Sequence, residues 1–408
     1  MTLILRNVRP WGAEATDVTL DGGAITAVGP ASTAGTSPTE VSAGVTVLEG
    51  RGRILLPSFS DVHVHLDSTR LGQPFRPHSG GPGVWAMMLN DRQHWREDDA
   101  SVAERATHTL GAMIEHGTTR VRSFAQVDVD TGLERLEGVL AARQEHQDRA
   151  DVAVIAFPQA GLLREPGSVE VLEEALKLGV DVVGGIDPCA LDRDPVRHLD
   201  IVFGLAEKYG LPVDIHLHEP AQLGLFSAQL IVERTRALGM QGLVTISHGY
   251  GLAELPAGQL QELLEDLGAL DISMATVAPS GEPLPLAKLA AAGVRVGLGQ
   301  DGQRDFWSPY GNADMLDRTW QLAFTSRFRA DELVEHAVAV ATIGGASVLD
   351  PAAMRLTSIA DRPGLAVGDP AELVLVSGDT VTAAVMDRLP DRTVIHRGTV
   401  VADQLALL

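Results

Sequence analysis

The sequence predicts an α/β fold, a (β/α)8 barrel of the TIM type with a small β-sandwich domain built from both chain ends. Three observations lead to this prediction. Apolar strand-like runs alternate with amphipathic helical patterns through the middle of the chain, as parallel βα units require. Short strand patterns separated by Gly, Pro and Ser occupy both ends. Histidine and acidic residues directly follow several middle strands, and barrels carry their functional residues at the carboxyl ends of strands.

The two ends of the chain show the same pattern of short strands separated by turns. Strand-like runs occur at residues 3–5, 18–20, 24–28, 45–48, 371–376 and 392–401. Because short strands must bury their apolar faces against another layer, we expect both ends to pair into one sandwich. This assigns residues 1–55 and 357–408 to the small domain and residues 56–356 to the barrel.

Eight candidate strands occupy the middle of the chain. They end near His65, Arg122, Phe157, Ile186, His216, Ser247, Thr276 and Gln300. Amphipathic segments such as 100–116 and 168–178 lie between them, as in a barrel with insertions. An open doubly wound sheet is the alternative. It is disfavoured because no Gly-x-Gly-x-x-Gly motif follows the first strand and no Walker-type Gly-Lys-Ser/Thr motif occurs.

Composition limits the partners of the chain. Its 408 residues carry a formal net charge of -22, which repels nucleic acids and anionic membranes, so a small molecule is the expected partner. Cys189 is the single cysteine, which excludes an intrachain disulfide and a Cys-x-x-Cys zinc site. The N-terminus lacks a basic segment followed by a long apolar run, so we expect a cytoplasmic protein.

His63 and His65 are the most informative pair of residues. They follow the apolar run 54–62, which reads as a strand buried on both faces. Side chains at positions i and i+2 of a strand point the same way, so the two imidazoles can bind one divalent cation. Two satisfied core histidines are the alternative, but more ligand-type residues at later strand ends favour the metal site.

His216 and Asp301 complete a predicted ligand set with the first two histidines. Three imidazoles and one carboxylate leave a position for water, whose pKa a cation lowers towards neutrality. Two-metal barrels need a bridging carboxylate or modified Lys on the third or fourth strand. Those strands, residues 152–157 and 180–186, contain no Lys, so one metal ion is favoured.

Three further residues are predicted to act on the substrate. Glu219, three positions after His216, can take a proton from the attacking water and deliver it to a substrate nitrogen, unless it is a surface carboxylate. His248 is a metal ligand, a group that polarises the attacked carbon, or a core histidine, and we favour the polarising role. His218 faces the same way as His216 and is an extra ligand, a substrate contact or a rim residue.

The other histidines lie in polar helical or terminal segments, and we expect the following to be surface residues: His94, His108, His116, His146, His198, His336 and His396.

Several motifs resemble one known family over nearly the whole chain. They are VHVHLDST at residues 62–69, GQP at 72–74, IAFPQAG at 155–161, LEEALKLGVDVVG at 172–184 and DFWSPYGNADML at 305–316. These stretches are similar to the amidohydrolase superfamily, in its cytosine deaminase-like branch, which includes aminohydrolases of triazine rings. The Phe-Pro-Gln-x-Gly and Gly-Asn-Ala-Asp-Met-Leu stretches are specific to that branch.

The resemblance implies roles for individual residues. One Zn or Fe ion would be bound by His63, His65, His216 and Asp301. Glu219 would shuttle the proton, and His248 would assist the attack together with the ligand Asp301. Gln159 would hydrogen-bond the amide edge of a ring, and Trp307 would help to wall the pocket.

Four departures from the family pattern surround the same pocket. Gly302 replaces a substrate-reading Asp after Asp301, and Gln300 replaces the usual His before it. The usual His-x-Asp after the second strand is replaced by Phe124-Ala125-Gln126, and His218 stands where Asp is common. Because the predicted ligands and Glu219 are intact, the departures indicate an altered substrate, and cytosine is disfavoured.

The leading hypothesis is a metal-dependent hydrolytic deaminase of a small planar amino-substituted ring, such as a cytosine-like pyrimidine or a triazine. Cyclic amide or ureide hydrolysis at the same site is the alternative, and a non-catalytic binding protein is a third possibility that the complete ligand set disfavours. The family often forms homo-oligomers, but no interface is readable in the sequence.

Overall fold

The computed structural model of the protein describes residues 2–31 and 44–408. Its strands form one eight-stranded and one nine-stranded sheet. The strands are β1 (Thr2–Pro10), β2 (Thr16–Asp21), β3 (Ala24–Pro30), β4 (Val45–Glu49), β5 (Ile54–Pro57), β6 (Phe59–Val64), β7 (Thr118–Gln126), β8 (Asp151–Phe157), β9 (Val182–Ile186), β10 (Val213–Leu217), β11 (Val244–His248), β12 (Ser273–Thr276), β13 (Val296–Leu298), β14 (Leu373–Val376), β15 (Arg392–His396), β16 (Thr399–Asp403) and β17 (Ala406–Leu407).

Helices alternate with the strands of the middle region. They are α1 (Val84–His94), α2 (Val102–Glu115), α3 (Glu134–Glu145), α4 (Ser168–Leu176), α5 (Pro195–Tyr209), α6 (Ala221–Ala237), α7 (Ala257–Ala269), α8 (Leu286–Ala291), α9 (Met315–Thr325), α10 (Asp331–Ala339), α11 (Gly345–Leu349) and α12 (Val381–Asp387). A 3₁₀ segment covers Tyr250–Glu254, and a π-helical segment covers Val340–Gly344.

The eight-stranded sheet is the predicted barrel. Its strands lie side by side in chain order from β6 to β13, and neighbouring strands are parallel. The two edge strands meet where Val64 forms a parallel bridge with Asp301 and the Asp301 amide donates to the His63 carbonyl over 2.8 Å. Strands such as β9, β10 and β11 are buried along their whole length, because helices cover the outside of the sheet. The (β/α)8 prediction is confirmed.

Two predicted strand ends differ from the observed ones. β7 continues to Gln126 instead of ending near Arg122, because its ladder with β8 extends to the Gln126–Phe157 pair. β13 ends at Leu298, two residues before the predicted end, because Asp301 adopts a positive φ of 64° in the turn that follows.

The nine-stranded sheet contains strands from both chain ends, as predicted. The first part of β1 pairs with β2 and β4, and its last residues pair with β5. β5 pairs with β14, which leads through β15 and β16 to β17. Residues 32–43 of the predicted small domain lie outside the described residues. The boundaries at 55/56 and 356/357 stay a prediction.

The apolar run 54–62 forms two strands, although its continuous hydrophobicity predicts a single strand. Ile54–Pro57 pairs in the small sheet, whereas Phe59–Val64 pairs in the barrel. Pro57 has no N–H for a ladder, and the next amide, that of Ser58, donates to the Glu372 carbonyl at 2.8 Å. The chain therefore changes sheets at this point and delivers His63 to the barrel.

One helical stretch, Asp331–Leu349, is long and apolar enough to cross a membrane by length and composition. Of its apolar window, 72% is buried inside the protein. Its π-helical segment and α11 pack against β6 and β13, so this stretch forms part of the core around the barrel.

Candidate active site

Five side chains of metal-ligand type converge at the carboxyl end of the barrel. His63 belongs to β6 and His65 directly follows it, His216 belongs to β10 and His248 to β11, and Asp301 follows β13. Ligand atoms of His63, His216 and His248 lie within 4.8 Å of one another, and so do those of His63, His65 and Asp301. Because His63 belongs to both groups, the four predicted ligands and His248 form one continuous cluster.

His63 and His65 present the same ring nitrogen to Asp301. The distances from His63 Nε2 and His65 Nε2 to Asp301 Oδ1 are 3.6 and 3.5 Å. The other nitrogen of each ring faces a protein group: His63 Nδ1 lies 3.0 Å from Ser247 Oγ, and His65 Nδ1 lies 3.7 Å from Asp67 Oδ1. Metal-binding histidines commonly use one nitrogen for the ion and the other for such a partner.

Ser247 connects His63 to a buried charge pair in the barrel. The hydroxyl of Ser247 donates to Asp214 Oδ1 at 2.6 Å, and Asp214 Oδ2 lies 3.4 Å from Arg122 Nη1. These groups fix the orientation of the His63 ring from behind.

His216 and His248 are buried, and neither nitrogen of either ring has a hydrogen-bond partner among the described residues. Burial lowers the pKa of both rings well below the ordinary value, and neighbouring histidines lower it further, so both are neutral near pH 7. Unpaired buried nitrogens are costly unless a bound group satisfies them. Neutral imidazoles that face a carboxylate are a donor set that fits a divalent cation.

Asp301 supplies the negative charge of this donor set. Although burial raises the pKa of a carboxyl group, the nearby His63 and the surrounding imidazoles hold the pKa of Asp301 well below its usual value. The carboxylate is therefore ionised at neutral pH, as a metal ligand must be.

Two phenylalanines pack against the ligand rings. From the sequence, Phe124 is named only as a departure from the family pattern near the pocket, and Phe157 is not identified as a site residue. The Phe124 ring lies 4.4 Å from the His63 ring and 4.3 Å from the His216 ring, measured between centroids. Phe157 stacks on His216 at 4.2 Å. Both are fully buried, so they keep the ligand rings in a water-poor, apolar environment. Their position at the ends of β7 and β8 is the signal that could have found them.

Glu219 is buried two residues after β10, not exposed on the surface. Its Oε1 accepts hydrogen bonds from the amides of Cys189 and Ala190 at 2.7 Å each, and its Oε2 accepts one from the Ser227 hydroxyl at 2.5 Å. A carboxylate offers about four lone-pair sites, so Oε2 keeps one for a proton. Burial raises the pKa of Glu219, which favours proton exchange closer to neutral pH.

Asp187 is a second residue that the sequence argument missed. Its Oδ1 accepts the amide of His218 at 2.7 Å, and its Oδ2 lies 2.8 Å from His218 Nδ1. Burial lowers the pKa of His218, but the charge of Asp187, its hydrogen bond to the ring and the charge of Asp301 together raise the pKa above its usual value. The His218 ring lies 4.3 Å from the His248 ring, so the predicted substrate residue is adjacent to the cluster. Its position directly after β9 is the sequence feature that could have identified Asp187 as a site residue.

Gln159 and Trp307 are the two predicted substrate contacts that are not part of the ligand cluster. Gln159 is mostly buried after β8, and its side chain has no hydrogen bond to any residue that the structure describes. Trp307 is half-buried, and its amide donates to Asp305 Oδ1 at 2.8 Å. Their contact with a substrate stays a prediction.

Asp305 occupies the space next to Gly302. A Cβ atom at position 302 would lie 2.3 Å from Asp305 Oδ2, which also accepts the Ser68 hydroxyl. The Asp305 carboxylate therefore occupies the space that a side chain at position 302 would fill.

The prediction that the remaining histidines are surface residues is wrong for four of them: His146, His198, His336 and His396 are buried. His198 Nδ1 lies 2.6 Å from Asp192, and His396 Nδ1 lies 3.0 Å from Glu372. His336 has no partner for either nitrogen among the described residues, and burial lowers its pKa to about 4. The polar character of the neighbouring sequence did not reveal that these four rings face the core.

Comparisons with known proteins agree with this geometry. A model described as "Amidohydrolase family" matches residues 80–405. The crystal structure of N-isopropylammelide isopropylaminohydrolase from Burkholderia multivorans covers 100% of both chains at 36% identity and a TM-score of 0.90. That of 5-methylcytosine deaminase from Klebsiella pneumoniae covers 99% of this chain and 97% of its own at 26% identity and a TM-score of 0.77.

A curated relative, the uncharacterized protein YahJ of Escherichia coli, is 34% identical over 271 residues. The match includes 65% of this chain and 59% of the relative, so this chain spans less than two thirds of its length. The family model, however, covers most of the chain, and the predicted superfamily resemblance is confirmed. The protein therefore belongs to the amidohydrolase family and is a hydrolase of non-peptide carbon–nitrogen bonds.

Proposed function

We propose that the protein hydrolytically removes an amine from a small planar nitrogen heterocycle. The observation that carries this proposal is the continuous cluster of His63, His65, His216, His248 and Asp301, with the buried Glu219 at the same end of the barrel. Similar proteins support the choice of reaction, since one is named an isopropylaminohydrolase and another a 5-methylcytosine deaminase.

His63, His65, His216 and Asp301 would hold one divalent cation, Zn or Fe. Such an ion acts as a Lewis acid that lowers the pKa of water and supplies a nucleophile at neutral pH. A second ion is not needed, because the carboxylate after β9, Asp187, is engaged by His218 and lies outside both ligand groups.

Glu219 moves the proton in this proposal. Its remaining lone pair on Oε2 takes the proton of the attacking water and delivers it to a ring nitrogen. The water oxygen bonds to the amino-bearing carbon, and its second proton passes to the amine. The carbon–amine bond then breaks, so that the neutral amine leaves and a ring carbonyl remains. The backbone amides of Cys189 and Ala190 keep the carboxylate fixed between these two transfers.

His248 and His218 assist at the attacked carbon. His248 is neutral and adjacent to His63 at a ring distance of 4.5 Å, so it can polarise the substrate or complete the ligand set. His218 is oriented by Asp187 to donate a hydrogen bond. Gln159, whose amide has no partner among the described residues, would bind the polar edge of the ring, and Trp307 would cover its face.

Ammonia or amine release from a panel of rings tests this function. We expect metal-loaded protein to release amine from one class among aminopyrimidines, aminotriazines, aminopurines and aminopterins, without loss of the ring. Cyclic ureides belong in the same panel because ring-amide hydrolysis is the second candidate for this site. Ring opening without amine release would contradict deamination and favour that alternative.

A further inference from the structure

Tyr250 is an aromatic residue at the site that neither the family pattern nor the roles above use. It begins the 3₁₀ segment Tyr250–Glu254, two residues after His248. Its ring centroid lies 5.0 Å from that of His248 and 5.8 Å from that of His218. The phenol therefore lies beside the imidazoles that surround the attacked carbon in the proposed reaction.

The backbone holds Tyr250 tightly in this position. His248 and Gly249 both have positive φ, 67° and 61°, which turns the chain sharply at the end of β11. A Cβ atom at Gly251 would lie 2.4 Å from the Glu219 carbonyl oxygen. Only glycine permits so close an approach, so the Tyr250 segment is packed directly on the backbone that carries Glu219.

The hydroxyl of Tyr250 is free to bind a ligand. It makes no hydrogen bond to any residue in the described ranges 2–31 and 44–408, and the residue is half-buried. Because this half-buried hydroxyl is accessible and has no protein partner, a bound molecule can provide one.

We propose that Tyr250 is a substrate-binding residue whose hydroxyl donates a hydrogen bond to an oxo group of the ring. This inference rests on the proposed function and narrows its substrate class. The phenol is protonated at neutral pH and can therefore donate a hydrogen bond.

Rings that carry an oxo group on their edge offer the acceptor that this donor requires. Oxo-substituted aminotriazines and aminopyrimidines belong to this class.

The test compares two triazines in binding and turnover. 6-Amino-1,3,5-triazine-2,4-dione carries oxo groups, whereas 2-amino-1,3,5-triazine carries none. Calorimetry with metal-loaded protein gives the dissociation constant of each compound, and amine release gives kcat/KM where turnover occurs. Tyr250→Phe removes only the hydroxyl. Tyr209→Phe is the matched control, because the Tyr209 hydroxyl binds Glu173 on the outer helices.

Tyr250→Phe is expected to weaken dione binding about tenfold, the effect of one neutral hydrogen bond, and to leave binding of the parent ring within about twofold. Tyr209→Phe should change neither. Equal effects on both compounds, no effect on the dione, or wild-type protein that binds the dione no better than the parent ring would overturn the inference. Failure of the wild-type protein to release amine from any ring would instead contradict the proposed function.

Discussion

Glu219→Gln is expected to lower kcat for amine release by about 100- to 10,000-fold, because it removes the group that transfers the proton. The metal content should stay unchanged, since Glu219 lies outside both groups of ligand atoms. Glutamine has nearly the same shape. Its oxygen can still accept the amides of Cys189 and Ala190, and its amide group can donate to Ser227, so the local structure should survive.

Two variants provide controls for this result. Glu173→Gln changes a carboxylate that pairs with Lys208 on the outer surface, and it should retain full activity. Ser227→Ala removes one hydrogen bond to Glu219 but keeps the carboxylate, so its loss of kcat should be much smaller than that of Glu219→Gln. If Glu219→Gln retained wild-type kcat, the proton-transfer role would be wrong.

His216→Ala is expected to weaken metal binding by more than about 100-fold, since loss of a residue that merely supports a ligand already costs 10- to 100-fold. His216 is the fitting position for this test because both of its nitrogens are buried without a partner in the described part of the chain. Activity should fall with the metal content. Both are measured on the same protein sample, by metal analysis and amine release.

His336→Ala is the matched control for this variant. His336 is also buried with two unpaired nitrogens, but it lies on α10 and outside the ligand groups. Its removal should lower the melting temperature through a core cavity and leave the metal content unchanged. Equal metal loss in both variants would show that His216 acts through the fold and not as a ligand.

The barrel and its ligands could be predicted because each depends on a local pattern. Apolar strands that end in His or Asp fix both the fold and the end of the barrel where the site lies. Pro57, by contrast, divides one apolar run between two sheets. This division could not be predicted from hydropathy, because hydropathy does not depend on whether a residue has an N–H to donate.

The residues that the sequence did not reveal act through contacts between different strands. Asp187 follows β9 but matters because it orients His218 after β10. Phe124 and Phe157 look like ordinary strand residues until the barrel closes around the ligand rings. The buried His198 and His396 likewise pair with the carboxylates of Asp192 and Glu372, which hydrophobic periodicity does not identify as their partners.

Metal titration tests the central claim most directly. Protein stripped by a chelator is loaded stepwise with Zn²⁺ or Fe²⁺, and amine release from the ring identified in the panel is measured at each step. We predict little activity without metal and a linear rise that ends at one ion per chain. Full activity of the stripped protein, or a rise that continues to two ions per chain, would contradict a single site formed by His63, His65, His216 and Asp301.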